Sequence, residues 1–237
     1  MKKAQVTLFV ILGIVIASAV IFSAYLFRSA PAGEEEMVET IGEIKGVEEF
    51  RQEMLSCLEA DIADGLITIE MQGGYYELPD QSLEGITAYY LYQGKEALPG
   101  LGNIEDELEA YSENTVCLDT LAGNAEIGMA DAEVSIGEGL IRITVDIPAV
   151  LKTEDAMIEA QSGYIIELPS SLREKMGLAG KVVESEARHR GMISLTMLSE
   201  YNITATTTGS RIVVYEIDDE LLQQSYGDAK LRFATKW

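Results

Sequence analysis

Two cysteines, one histidine and an excess of carboxylates are the side chains in this sequence with chemistry to offer. Cys57 and Cys117 suit a disulfide if the chain lies in an oxidising compartment. Closing a loop of about 60 residues would stabilise by about 4 kcal/mol in the chain-entropy treatment. Two buried free thiols are the alternative reading, and a metal or redox pair is a third that lacks its usual CxxC or histidine neighbours. His189 sits between Arg188 and Arg190 near an expected helix end, where a cation complements the dipole, so it reads as a solvated side chain. No Ser/His/Asp, GxSxG, HExxH, P-loop or GxGxxG pattern is present. The sequence therefore calls for no cofactor and no metal, and the expectation is a protein that is not an enzyme.

The remaining candidates are runs rather than motifs. Acidic residues cluster at Glu34 to Glu36, Glu105 to Glu107 and Asp218 to Glu220. None has the spacing of a calcium loop, and a solvated face is the simpler reading. Tyr75, Tyr76, Tyr89, Tyr90 and Tyr92 would make a sugar or protein contact patch if they gathered on one surface, but strand alternation favours ordinary sheet packing. Asn202-Ile203-Thr204 is an acceptor sequon for glycosylation at Asn202.

These residues need elements to position them. Apolar residues recur at Val38, Ile41, Ile44, Val47, Phe50, Met54, Leu58 and Ile62, which predicts an amphipathic helix over 37–64 with Gly65 as its stop. Residues 66–71 (LITIEM), 75–79 (YYELP) and 86–92 (ITAYYLY) read as strands of a small antiparallel sheet. Asn103 is an N-cap candidate for a second helix reaching about Leu121 and carrying Cys117. Residues 132–136 and 140–147, separated by Gly137-Glu138-Gly139, form the strongest hairpin signal. A strand over 163–168 precedes Ser171-Leu172-Arg173-Glu174, a capping box opening a third helix with Leu172, Met176, Ala179, Val183 and Ala187 on one face. A hairpin over 202–208 and 211–217 and a closing strand over 229–235 complete an α+β domain. The helices ending in Leu55 to Glu59 and in Thr115 to Asp119 echo each other, and side-by-side packing would let the cysteines meet.

An uncharged run from Ala4 to Phe27 precedes all of this. A bilayer core of about 30 Å needs roughly 20 helical residues, so the run is long enough to span it and too long for the core of an ordinary cleavable signal. Lys2 and Lys3 precede the run and Arg28 alone follows it before the acids, which predicts a cytoplasmic N-terminus and an extracellular C-terminal domain. The expected organisation is a transmembrane signal-anchor (1–28), a linker (29–36) and an acidic extracytoplasmic domain (37–237). That domain would hold one core, or two lobes meeting near residue 125. Of 17 basic and 40 acidic side chains, three basic and no acidic ones fall in residues 1–28, leaving 14 against 40 and a net charge of −26 for the rest. Such a domain repels nucleic acid and anionic headgroups. The partners expected are the lipid bilayer, through residues 4–27, and other proteins or copies of the same chain.

Lys2-Lys3-Ala4-Gln5-Val6-Thr7, followed directly by the apolar run, resembles the class III signals of archaeal type IV pilin-like proteins. The resemblance implies cutting by a membrane peptidase between Ala4 and Gln5, with the apolar helix packing in a filament core. The departure is Phe9, where many such subunits carry Glu. Over its length the chain also looks like a group of membrane-anchored archaeal proteins with this signal. The pieces are Cys57-Leu58, Gln72-Gly73-Gly74-Tyr75, Cys117-Leu118, Ile166 to Leu172 and Arg232-Phe233-Ala234. That likeness implies an anchor and surface exposure and brings no catalytic residue or ligand. The leading expectation is a membrane-anchored structural or interaction protein of the cell surface. A filament subunit processed before Gln5 and an extracellular solute-binding module are the alternatives.

Overall fold

Phe50, Met54, Leu58, Ile62, Leu66 and Ile69 recur every three or four residues and are buried along one stripe of helix α1 (Gly33–Met71). The computed structural model describes residues 33–114, 125–152, 157–160, 163–189, 191–209 and 211–237, with side chains from residue 46 onward. By its contacts the chain divides into two units, Met1–Glu49 and Phe50–Trp237. The apolar run over 4–27 lies outside the described residues, among which no helix is long and apolar enough to cross a membrane.

Helix α1 differs from the sequence expectation at both ends. It begins at Gly33, so the second half of the expected linker is helical. It also passes through Gly65 and takes in residues 66–71, because Ile62, Leu66, Ile69 and Glu70 continue the buried helical stripe. Gly65 is a packing residue: a Cβ there would lie 2.1 Å from Cε1 of Tyr111. The stop comes at Gly73 and Gly74, both with positive φ, whose amides return to Glu70 O (3.1 Å) and Ile69 O (2.7 Å) in a Schellman motif.

The largest sheet contains β1 (Ser82–Leu83), β2 (Thr87–Tyr92), β12 (Lys230–Lys236), β11 (Ile212–Asp218) and β10 (Thr204–Thr208) in that order, with β3 (Lys95–Glu96) also on β2. Strands β2 and β12 run parallel, so the sheet is mixed rather than antiparallel; the connection between them, residues 93–229, is long enough to permit this. Residues 75–79 are not a strand, since Tyr76 N and Glu77 N donate to Glu107 Oε2 instead of to a ladder. A three-stranded antiparallel sheet holds β5 (Asp131–Ile136), β6 (Leu140–Asp146) and β9 (Gly163–Pro169), in the register the hairpin signal implies. A second small sheet, β4 (Ala125–Ile127), β7 (Ala149–Lys152) and β8 (Met157–Ala160), has no counterpart in the sequence reading.

Helix α2 (Leu101–Glu113) starts from Gly100 rather than Asn103, whose side chain instead accepts from Gly100 N at 3.1 Å. It ends at Asn114, before Cys117, which lies outside the described residues. Helix α3 (Leu172–His189) is where the sequence places it, and two short helices join it: α4 (Leu195–Glu200) and α5 (Glu220–Tyr226). The described residues thus hold five helices rather than three, because one- or two-turn helices are too short to show a period. The fold class is α+β.

Alanine is favoured over glycine inside a helix by about 0.5 to 1 kcal/mol. At position 65 the sign is expected to reverse: Gly65→Ala should lower stability by about 1 to 3 kcal/mol through overpacking against Tyr111. Chemical denaturation checks this, and a stabilised variant would show that α1 and α2 do not pack as closely as described.

Candidate functional site

Three elements converge on one buried set of charges. Glu70 comes from the last turn of α1, Lys175 from the first turn of α3 and Asp219 from the N-cap of α5; their exposures are 0%, 2% and 0%. Lys175 Nζ lies 2.7 Å from Glu70 Oε2 and 2.7 Å from Asp219 Oδ2. Such burial demands partners, since a charge removed from water without them costs several kcal/mol.

Asp219 is richly satisfied. Its Oδ1 accepts from Leu222 N (3.1 Å), Ser171 N (3.1 Å) and Ser171 Oγ (3.1 Å), and its Oδ2 accepts from Ser170 Oγ (2.7 Å) and Ser171 N (3.0 Å). It therefore caps α5 and also holds the start of α3, displacing the local capping box. Burial pushes its carboxyl up, but the Lys175 ammonium and the hydrogen bonds from Lys175, Ser170 and Leu222 N outweigh that and hold it at about 2.

Glu70 is poorly satisfied. Its Oε2 has the charge contact with Lys175 without hydrogen-bond alignment, and its Oε1 has no hydrogen-bond partner among the described residues. Burial, assisted by the Asp219 carboxylate and opposed by Lys175, pushes Glu70 up to about 7. Two carboxylates and one ammonium leave the cluster at −1, and one proton on Glu70 makes it neutral and gives Glu70 a hydrogen to share with Asp219. Tyr90 faces Glu70 from β2; its hydroxyl donates to Gly73 O at 3.1 Å and its ring stacks on Phe233 at 4.5 Å. A groove of about 380 Å³ opens over Lys175, with Ser171, Glu174, Tyr201 and Asp218 in its walls.

A second buried acid, Glu186 on α3, accepts from the Tyr215 hydroxyl and, at 3.2 Å, from Trp237 Nε1. Lys175 and Glu186 share the apolar face of α3 with Leu172, Met176, Ala179, Val182 and Val183. A charge on an apolar helix stripe is the sequence signal that marks both residues. Glu70 becomes visible the same way once residues 66–71 are read as helix.

The residues singled out from sequence do not come together. Cys57 is half-buried and is not a free thiol. Cys117, Ala4 and Gln5 lie outside the described residues. Asn202 is exposed, with φ 52°, in the turn before β10. His189 is exposed, its Nδ1 2.7 Å from Ser185 O. The tyrosines form no common patch: Tyr76 packs edge-on against Tyr111, Tyr89 pairs with Tyr92, and Tyr90 is in the core. The acids of α2 are backbone acceptors. Glu105 takes Ile136 N (2.8 Å), Glu109 takes Val134 N (3.0 Å) and Glu107 takes Tyr76 N (2.8 Å). Among the described residues no group of three His, Cys, Asp or Glu side chains is arranged to hold a metal ion. No protein-family model, no curated protein and no solved structure matches the chain.

Glu70 has a consequence for pH. Its ordinary value is 4.5 and its folded value about 7, so the folded state keeps a proton that the unfolded chain releases. Stability from this group is full below about 4.5, falls as pH rises to about 7, and is level beyond. Thermal melts of the wild type, referred to those of Glu70→Gln, should show that decline across the window. A difference that does not change with pH would contradict a protonated Glu70.

Proposed function

We propose that the chain is a structural or interaction protein of the cell surface, held in the membrane by the apolar run Ala4 to Phe27 and carrying its acidic domain outside. The observation that carries this reading is α1: a helix of 39 residues begins shortly after the apolar run, and its later turns form the central stripe of the domain core. The excess of acid keeps that domain away from anionic headgroups. Protease added to intact cells should remove the domain, and a domain protected until the cells are lysed would contradict the outward orientation.

The same spine supports the second reading, a pilin-like filament subunit cut between Ala4 and Gln5. Mass spectrometry of the mature N-terminus separates the two: a chain beginning at Gln5 favours the subunit, and one beginning at Met1 favours the tethered protein.

An oxidising location agrees with the state of Cys57. Helices α1 and α2 pack antiparallel, with Ile104 beside Gly74 and Tyr111 beside Gly65 and Asp61. The C-terminal end of α2 thus lies on the side of α1 that leads from Gly65 and Asp61 back to Cys57, and Cys117 is the partner we assign to it. Non-reducing peptide mapping should recover a Cys57–Cys117 peptide pair that reduction splits, and a free Cys117 in the purified protein would contradict the assignment.

A further inference from the structure

We propose that Lys175 and Asp219 become joined by an intramolecular amide bond between Nζ and Cγ, with Glu70 as the catalytic acid and base. The reaction needs an amine held against a carboxyl group, a proton carrier at the amine, donors for the developing oxyanion, and exclusion of water. Each is present. Lys175 Nζ is 2.7 Å from Oδ2 of Asp219, and Glu70 Oε2 is 2.7 Å from the same nitrogen. All three side chains are at most 2% exposed. Asp219 Oδ1 already accepts from two backbone amides, Ser171 N and Leu222 N, and from Ser171 Oγ, each at 3.1 Å. Leu222 N and Ser171 Oγ serve Oδ1 alone, as a tetrahedral intermediate requires, while Ser171 N is shared with Oδ2 at 3.0 Å; Oδ2, also beside the ammonium and Ser170 Oγ, is the oxygen that leaves.

The steps balance without any oxidant or co-reactant. Glu70 gives its proton to Oδ2 and takes one in turn from the Lys175 ammonium. The freed amine attacks Cγ, placing the negative charge on Oδ1. Glu70 then gives that proton to Oδ2, which departs as water as the Cγ–Oδ2 bond breaks, and takes a second proton from nitrogen. One ammonium and one carboxylate become one amide and one water, and Glu70 ends as it began. A carboxyl that titrates near neutrality is suited to moving protons both ways. Burial also favours the product, because a neutral amide replaces two ions whose desolvation is costly. The bond would tie the first turn of α3 to the N-cap of α5 covalently, which suits a protein that bears load, although it forms whether or not the membrane reading holds.

The test is intact mass and a tryptic map of the full-length chain, purified in detergent and reduced. The wild type is expected to be lighter than its sequence by one water, to resist trypsin after Lys175, and to yield a branched peptide joining Lys175 to Asp219. Glu70→Gln and Asp219→Ala are expected at full mass with Lys175 cleavable. A wild type at full mass overturns the proposal, and so does a lost water that maps elsewhere, such as a succinimide at Asp64-Gly65. A branched peptide that persists in Glu70→Gln overturns the role of Glu70. The wild-type map decides the existence of the bond even where a variant fails to fold, and the N-terminal mass that tests the anchor reading is measured independently.

Discussion

Lys175 sits on the apolar face of a helix, and an ammonium there cannot be buried unless carboxylates follow it inside. That requirement fixes where three helices end or begin. Helix α1 must stay helical as far as Glu70, so its stop is delayed to Gly73 and Gly74. Helix α3 must start where Ser171 N reaches Asp219. Helix α5, only seven residues long, is too short to be stable alone and begins at the residue that completes the cluster. Ordinary apolar packing would tolerate small slips at each of these ends, whereas a shared set of charges does not.

The acidity of the protein has an internal side as well. Strand β5 lies at the edge of its sheet, where unpaired amides invite pairing with another chain. Glu105 and Glu109, one helical turn apart on α2, accept from Ile136 N and Val134 N, two residues apart on the strand. The rise of a helical turn and of two strand residues are close enough for this match. Arg173 closes the same edge by donating from Nε to Ile136 O at 3.1 Å. Carboxylates that read as solvated charge in the sequence thus replace a missing strand. Other acids accept tyrosine hydroxyls, as Glu59 does from Tyr226 at 2.6 Å.

Where periodicity and turn chemistry agree, the sequence was a sound guide: the β5–β6 hairpin, β9, α3, the β10–β11 hairpin and β12 all stand where pattern places them. The errors have physical causes. Gly65 resembles a helix stop by propensity, but its missing side chain makes room for Tyr111. Residues 66–71 alternate like a strand only if Glu70 is assumed to face water. Strands β4, β7 and β8 are three or four residues each, below the length at which alternation can be recognised. The cluster of Glu70, Lys175 and Asp219 was hidden for a different reason. Its members lie far apart in the chain, and only Lys175 carries a local sign of burial, a cation at a core position of an otherwise readable amphipathic helix.

Asp219 is the acceptor that holds α3, α5 and Lys175 at once. Equilibrium denaturation of Asp219→Ala beside the wild type tests this directly. Removing one partner of a buried charge cluster is expected to lower the unfolding free energy by about 3 to 5 kcal/mol. A variant within about 0.5 kcal/mol of the wild type, the range of ordinary surface substitutions, would contradict the central place given to the cluster.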